Sequence, residues 1–272
     1  MRMTMLAKPV EKTEMAGAQT LRRGLSVLRL LTRIGPGGLR MSEIGRRLDL
    51  NKATAIRLTR TLVDEGFVLH DRGSGRYRLG PEAFAVGLAA EPSYELQRLA
   101  APTLRTLAIE SGDTVFFSVL HGYESICLSR DEGDFPIRNQ LIKAGDRLPL
   151  GVGAGSCALL AALLDDEIED ALRRNAPLRA ERFPRCTDAA IKRLIQETRS
   201  LGYCVQPGLV IDDSWAIGVV VCDASNSPVA SISIAAIKSR MGAARNAFLG
   251  NRLMLASQAL ALLQAEAGKS VD

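Results

Sequence analysis

The sequence predicts an α+β fold: an N-terminal winged helix-turn-helix, a linker helix, and a C-terminal part with a mainly antiparallel sheet flanked by helices. Three observations carry this. Residues 41–65 read as two short helices joined by a tight turn, with apolar and basic faces separated. Residues 67–79 alternate and double back as a basic hairpin. Beyond residue 93, runs of strands are interleaved with helices without the regular alternation of a parallel sheet.

Within MSEIGRRLDLNKATAIRLTRTLVDEGFV, Ser42 can cap a first helix that turns Ile44 and Leu48 inward. Asp49-Leu50-Asn51 makes the turn, and Lys52 to Glu65 forms a second helix stopped by Gly66. Ala55, Leu58 and Leu62 are spaced three and four apart as its core face. The opposite face presents Lys52, Ala53, Ile56, Arg57, Arg60 and Thr61, long cations for phosphates and guanine edges beside small groups that can meet thymine methyls. The residues expected to meet DNA are Ser42, Lys52, Ala53, Thr54, Ile56, Arg57 and Arg60, joined by Arg72, Arg76 and Arg78 on or beside the hairpin tip.

Charge supports that placement. The chain of 272 residues has a formal net charge of +5, but residues 1–80 hold 16 Lys and Arg against 7 Asp and Glu, leaving 19 against 23 for the rest. Clustered cations on one end point to nucleic acid, because counterion release rewards them where phosphates lie. No apolar run reaches membrane-spanning length and no signal-peptide core follows the first basic residues, so a cytoplasmic chain without membrane partners is expected. Five cysteines with no CxxC spacing argue against disulfides and structural zinc, and two histidines leave few general bases.

The remaining elements follow in order. Residues 1–17 read as a mobile arm and 18–80 as the DNA-binding domain. Its first helix opens at Thr20, with Leu21, Leu25, Leu28 and Leu31 on one face, and breaks at Gly35-Pro36-Gly37-Gly38. Pro81 starts a linker helix within 81–92, carrying Phe84 and Leu88. Its apolar surface can be buried against a second copy or against its own chain. The second domain spans 93–266, with 267–272 a tail. It begins with a helix from Ser93 to Ser111 interrupted at Pro102, then strands Thr114–Leu120, Ser125–Arg130 and Ile137–Ile142. Helices are expected over Ser156–Leu164, Asp166–Arg174 and Thr187–Leu201, strands over Tyr203–Gln206, Trp215–Cys222 and Val229–Ala236, and a closing helix over Met241–Glu266.

The loop Gly151-Val152-Gly153-Ala154-Gly155-Ser156 lacks the Lys-Ser/Thr of a phosphate loop and the strand-turn-helix context of a dinucleotide site. It reads either as a tight turn or as an anion site in which glycines let a ligand approach free helix N–H groups. Cys157 at that helix start could be a lowered-pKa nucleophile, yet no partner base stands at motif spacing. Asp212-Asp213 reads as a solvated loop or a metal pair, and Trp215 as a core residue that also lines a pocket.

Taken together, the helix-turn-helix segment, GRYRLG, ESGDTVFFSVLHGYESICLSR, LPLGVGAG, TRSLGYCV and PVASISIA resemble, in that order over residues 18–266, the IclR family of bacterial transcription regulators. The resemblance implies a winged helix-turn-helix, a linker helix used in dimerisation and a GAF-like C-terminal domain binding a small effector, often an organic or aromatic acid. It also implies dimers or tetramers that repress or activate catabolic operons. Effector contacts in the family come from the loop before the 156–164 helix, the stretch after Tyr203 and the strand near Ser233. Here Gln206 stands where some members carry an acid, Ala216 where cysteine can stand, and Ala235 at one of two strand serines while Ser233 is kept. Those departures imply a more apolar pocket.

The expected effector site is therefore Gly153, Ala154, Gly155 and Ser156 for the acid group, Phe117, Trp215, Ala216 and Ala235 for the apolar body, and Ser233 for orientation, with Gln206 also among its residues. The function expected is a non-enzymatic, DNA-binding regulator of a pseudo-palindromic operator, modulated by a small organic acid, without a cofactor or metal and acting as a homodimer or tetramer. The alternatives are a small-molecule-modifying enzyme with a nucleic-acid-binding head and an architectural DNA-binding protein without effector.

Overall fold

A computed structural model describes residues 16–90, 95–137 and 142–269, which fall into two compact units, 16–90 and 95–269. The arm proposed for the first residues lies outside the described residues up to 15, as do 91–94 at the end of the linker segment.

In the first unit, α1 (Ala16–Ile34) leads through a glycine turn to β1 (Leu39–Arg40), α2 (Met41–Arg47) and α3 (Lys52–Asp64). The wing strands β2 (Val68–Asp71) and β3 (Arg76–Leu79) follow, then α4 (Pro81–Ala90). β3 is the centre of a three-stranded antiparallel sheet, with β1 and β2 on its flanks. The core gathers Val27, Leu31, Leu39, Ile44 and Val68. Its composition corrects the expected inner face of α1: Leu21 and Leu25 are exposed, and Gly24, Val27 and Leu31 face inward. The helix also begins before Thr20, at Ala16.

The second unit opens with α5 (Glu95–Ser111), which runs through Pro102 without interruption. Next come β4 (Thr114–His121), β5 (Glu124–Glu132), β6 (Arg147–Pro149), α6 (Ala154–Ala161), α7 (Asp165–Arg182) and α8 (Asp188–Leu201). Then β7 (Cys204–Ile211), β8 (Ser214–Cys222), β9 (Pro228–Ile237) and α9 (Ala243–Lys269) complete it. The six strands pair antiparallel in the order β6-β5-β4-β9-β8-β7. For the expected third strand, 138–141 lie outside the described residues, and the edge position beside β5 is taken by Arg147–Pro149.

Period-two alternation sorts the strand residues onto two faces, both covered by helix. On one face Val115, Phe117, Ile217, Val219, Ile232 and Ile234 pack with Leu104 and Leu107 of α5 and Leu249, Leu253 and Leu260 of α9. The other face meets α6, whose eight residues are all buried. Behind α6, Leu159 and Leu160 join Ile168, Leu172 and Ile191 of α7 and α8 in a further core. Thr187 caps α8 through the Ala190 N–H at 3.2 Å, and Gly202 ends it in the left-handed region at φ 83°.

Candidate functional sites: a basic helix with its wing, and a cavity at the start of a helix

α3 starts at Asn51, whose Oδ1 accepts the Thr54 N–H at 2.8 Å. The helix buries Ala55, Leu58 and Thr59 against its own unit and leaves Lys52, Ala53, Ile56, Arg57, Arg60 and Thr61 exposed on one face. Thr54 is half-buried behind that face. Ser42 does not cap α2. The chain enters the helix two residues earlier, with Arg40 extended and its N–H given to Glu43 Oε2 at 2.8 Å, so Ser42 sits exposed inside the first turn.

The wing tip is fixed by Asp71, whose carboxylate accepts the Gly73 N–H at 2.9 Å and the Ser74 hydroxyl at 2.6 Å. The Ser74 hydroxyl is the largest influence holding that carboxyl below its ordinary range. One pair back from the tip, His70 stacks on Tyr77, ring centroids 4.3 Å apart. Arg72 and Arg78 project into solvent, available to phosphates. Arg76 is half-buried and differently placed: its Nη1 donates to Gly38 O at 2.9 Å and Gly37 O at 3.4 Å.

In the second unit, the sheet face toward α6 forms the floor of an open cavity. Phe116, Ser233 and Gly218 make one cross-strand row of this floor, and Ala235, Ala216 and Gln206 make the next. Ile142, Leu148, Val210 and Ile211 wall it, and Gly153–Ser156 close one side. α6 starts at Gly153 (φ 84°, ψ 151°) without a side-chain cap. Among the described residues, the N–H groups of Gly153, Ala154, Gly155 and Ser156 donate to no acceptor. They supply the donors and positive dipole end that an anion needs. Gln206 is buried and gives its amide to Gly151 O at 3.5 Å, and Ser156 Oγ donates to Pro149 O at 3.0 Å, so both steady the loop.

Eight of the ten expected effector residues line this cavity, and two do not. Phe117 is fully buried on the opposite face with α5 and α9, and its neighbour Phe116 takes the cavity position. Trp215 likewise packs on that opposite core, while Ala216 faces the cavity. Adjacent strand residues point to opposite faces, so Phe117 is a shift of one position and Trp215 cannot share the cavity face with its neighbour Ala216. The sequence reading also missed Ser118, Ser125 and Ser214, which line the cavity; alternation from a correctly faced Phe116 would have found Ser118.

The reactive-thiol reading of Cys157 fails. Its side chain is fully buried, and its thiol is pushed well above the ordinary range by a hydrogen bond with Cys204 and by burial. Asp212 is ion-paired with Arg185. No group of three or more His, Cys, Asp or Glu that could hold a metal occurs among the described residues, and no helix among them is long and apolar enough to cross a membrane.

A winged helix-turn-helix with an exposed basic recognition face, followed by a separate unit with a cavity of its own, defines the class of DNA-binding transcription regulators. Comparison with known proteins makes the assignment particular. Residues 20–72 match the IclR helix-turn-helix domain and 89–262 the C-terminal domain of the bacterial transcriptional regulator IclR; the chain belongs to the IclR family. It is 30% identical over 234 residues to the HTH-type transcriptional repressor AllR of Klebsiella pneumoniae, covering 85% of this chain and 84% of that one. The Escherichia coli K12 AllR repressor is also 30% identical, over 240 residues, with 86% and 85% covered. Among solved structures, an IclR-type regulator from Alicyclobacillus acidocaldarius superposes with a TM-score of 0.74 at 24% identity, covering 90% of this chain and 98% of that one. An IclR homologue from Microbacterium hydrocarbonoxydans in complex with 4-hydroxybenzoate gives 0.70 at 22% identity, covering 89% and 98%. Proteins of this family are DNA-binding regulators, not enzymes.

Proposed function

We propose that the chain binds a pseudo-palindromic operator as a two-fold dimer, α3 reading base edges and the wing following the backbone, and that a small organic acid in the cavity of the second unit modulates this binding. One observation carries the ligand reading: among the described residues the N–H groups of Gly153–Ser156 donate to no acceptor, and these residues line a cavity whose other walls combine Phe116, Ile142, Leu148, Val210, Ile211, Ala216 and Ala235 with Gln206 and four serines. A carboxylate takes the N–H groups, the apolar body rests on Phe116, Ala216 and Ala235, and Ser233 orients it. Aromatic acids are the first candidates, because a planar apolar ring suits the phenyl and small side chains of this floor. The fold relative complexed with 4-hydroxybenzoate supports that choice.

The DNA-contacting residues proposed are Lys52, Ala53, Ile56, Arg57 and Arg60 of α3 together with Arg72 and Arg78 of the wing. Dimer formation follows from scale, since one recognition helix covers too few base pairs to address a genomic site. A gel shift on the upstream region of the protein's own gene, with and without benzoate-like and keto acids, tests both halves. Specific retardation altered by one class of acid is expected; retardation indifferent to every acid overturns the effector half, and absence of specific retardation overturns the operator half.

A further inference from the structure

The wing carries three arginines, and the structure treats them unequally. Arg72 and Arg78 end in solvent, whereas Arg76 turns back toward the start of its own unit and donates Nη1 to the carbonyls of Gly38 and Gly37. Those carbonyls belong to the turn between α1 and β1. That turn is pressed onto β3: Gly38 has φ 59°, and a Cβ there would come within 2.5 Å of Tyr77 O. β1 has only two residues, Leu39 and Arg40, paired with Tyr77 and Arg76. The very next residue is the first of α2, and Arg40 gives its own N–H to Glu43 of that helix. The Glu43 carboxyl lies below its ordinary range, first through this Arg40 N–H against a burial penalty and then through the Arg76 charge.

A continuous path of bonds therefore runs from the wing through Arg76, the glycine turn and β1 into the N-terminus of α2. Two paired residues alone make a weak hinge, because a short edge strand contributes few ladder bonds. A guanidinium bonded to carbonyls on the far side of that strand stiffens it, since its planar donor fork fixes direction as well as distance.

We infer that Arg76 is a positioning residue, which sets the angle between the wing and the helix-turn-helix so that both engage one duplex, and that it is not a phosphate contact. The two roles leave different marks on DNA binding. A phosphate contact contributes to counterion release, so its loss lowers the slope of log K against log salt by about 0.9 and weakens all sequences alike. A positioning residue leaves that slope unchanged and lowers affinity for the operator more than for unrelated DNA, because only the specific complex needs helix and wing in register. Lysine separates the roles further: it keeps the charge for a phosphate but loses the planar fork.

With the wing on DNA as proposed above, the test is a salt titration of binding by fluorescence anisotropy on operator and scrambled duplexes. It uses the full chain and its variants Arg76→Ala, Arg76→Lys and Arg78→Ala, each checked by circular dichroism. The expected result is a roughly tenfold loss of operator affinity for both Arg76 variants, the scale of one charge-assisted hydrogen bond, with unchanged slope and unchanged scrambled-duplex affinity. Arg78→Ala is expected to lower the slope. Arg76→Lys binding like the wild type, or a slope for Arg76→Ala reduced by about one, overturns the positioning role. Equal losses on operator and scrambled duplex at unchanged slope also overturn it, marking Arg76 as a support of general stability. A slope unmoved by Arg78→Ala removes the wing from the backbone and overturns the reading of the wing itself. Should Arg76→Ala fail to fold, the lysine variant decides alone.

Discussion

Gly218 lies directly beneath Gly155. A Cβ on Gly218 would stand 2.5 Å from the Gly155 nitrogen and 2.5 Å from the Ala154 carbonyl carbon, so α6 rests its first turn on the bare backbone of β8. Gly155 repeats the arrangement against β9, where a Cβ would meet Ser231 Oγ at 2.8 Å and Ser233 Oγ at 3.2 Å. Two missing side chains thus let a helix start sink to the sheet and bring its N–H groups level with the cavity floor.

Gly218→Ala is accordingly expected to destabilise the second unit by about 1–3 kcal/mol, the cost of forcing volume into a packed core. A urea melt followed by Trp215 fluorescence measures it, and an unchanged midpoint refutes the close packing. Gly155→Val belongs with it as a packing change, since its branches would strike Ser231 and Ser233 before reaching the cavity.

Arg57→Ala and Arg60→Ala should each weaken operator binding by about 1–3 kcal/mol, the worth of a base contact, and together abolish discrimination between operator and unrelated DNA. Both side chains are exposed and outside the first unit's core, so the fold should survive. Competition gel shifts with the double variant check this. Discrimination at the wild-type level would move the recognition face elsewhere on the unit.

The first unit was largely legible because its signals are local: a capped helix, a tight turn, a basic face and an alternating hairpin each occupy a few residues. Ser42 was misplaced because a serine beside a backbone–carboxylate bond leaves no trace of which residue the chain enters on. The cavity was legible where glycine marks it and where small residues interrupt strands, at Gly153–Ser156, Ala216 and Ala235. It was illegible at Phe116/Phe117 and Trp215/Ala216. Both faces of this sheet are covered by helices, so β4 and β8 lose the polar alternation that would assign each residue to a side. Arg76 illustrates a third limit: three wing arginines look alike in sequence, and only tertiary geometry shows that one is bonded back to Gly38.

The hairpin between β4 and β5 is tied to α7 by Tyr123, whose hydroxyl donates to Asp170 Oδ2 at 2.5 Å while Asn175 Nδ2 donates to Tyr123 O at 2.8 Å. The Tyr123 hydroxyl is the largest influence lowering the Asp170 carboxyl below 3.8; burial opposes it, and Arg174 adds to the lowering. A depressed folded-state pKa contributes stability that is fully present above the ordinary value and is lost as pH falls below it through the lowered one. Asp170→Asn should therefore cost up to about 1 kcal/mol at neutral pH, a partly exposed ion pair's worth, and the gap to wild type should close in acid. Thermal melts at pH 7 and pH 3 measure this. A gap that widens at pH 3 contradicts the sign.

α4 has no buried residue in its own unit, and Phe84, Val86 and Leu88 are 69%, 51% and 52% exposed. Together with exposed Leu21 and Leu25 of α1 they supply the apolar surface that a two-fold pairing of DNA-binding heads would cover. Leu88→Asp should dissociate that pairing and reduce apparent operator affinity without altering the second unit's melt. Sedimentation velocity on free and operator-bound protein tests it; unchanged association and affinity would place the pairing elsewhere.

The cavity gives the remaining prediction. Ala216 lies in the row between Gln206 and Ala235, opposite the N–H groups of α6. A phenyl ring at this position would occupy the space assigned to the ligand's apolar body. Ala216→Phe should thus abolish acid binding and the acid's effect on DNA, yet retain operator affinity, because α3 belongs to the other unit. Ser233→Ala is the milder change: one hydrogen bond to the ligand is lost, costing roughly 0.5–1.5 kcal/mol of affinity. Isothermal titration with benzoate-like and keto acids, paired with anisotropy on the operator, reads both quantities. If Ala216→Phe binds the same acid with wild-type affinity, the ligand lies outside this cavity, and the N–H groups at the start of α6 serve only the loop that carries them.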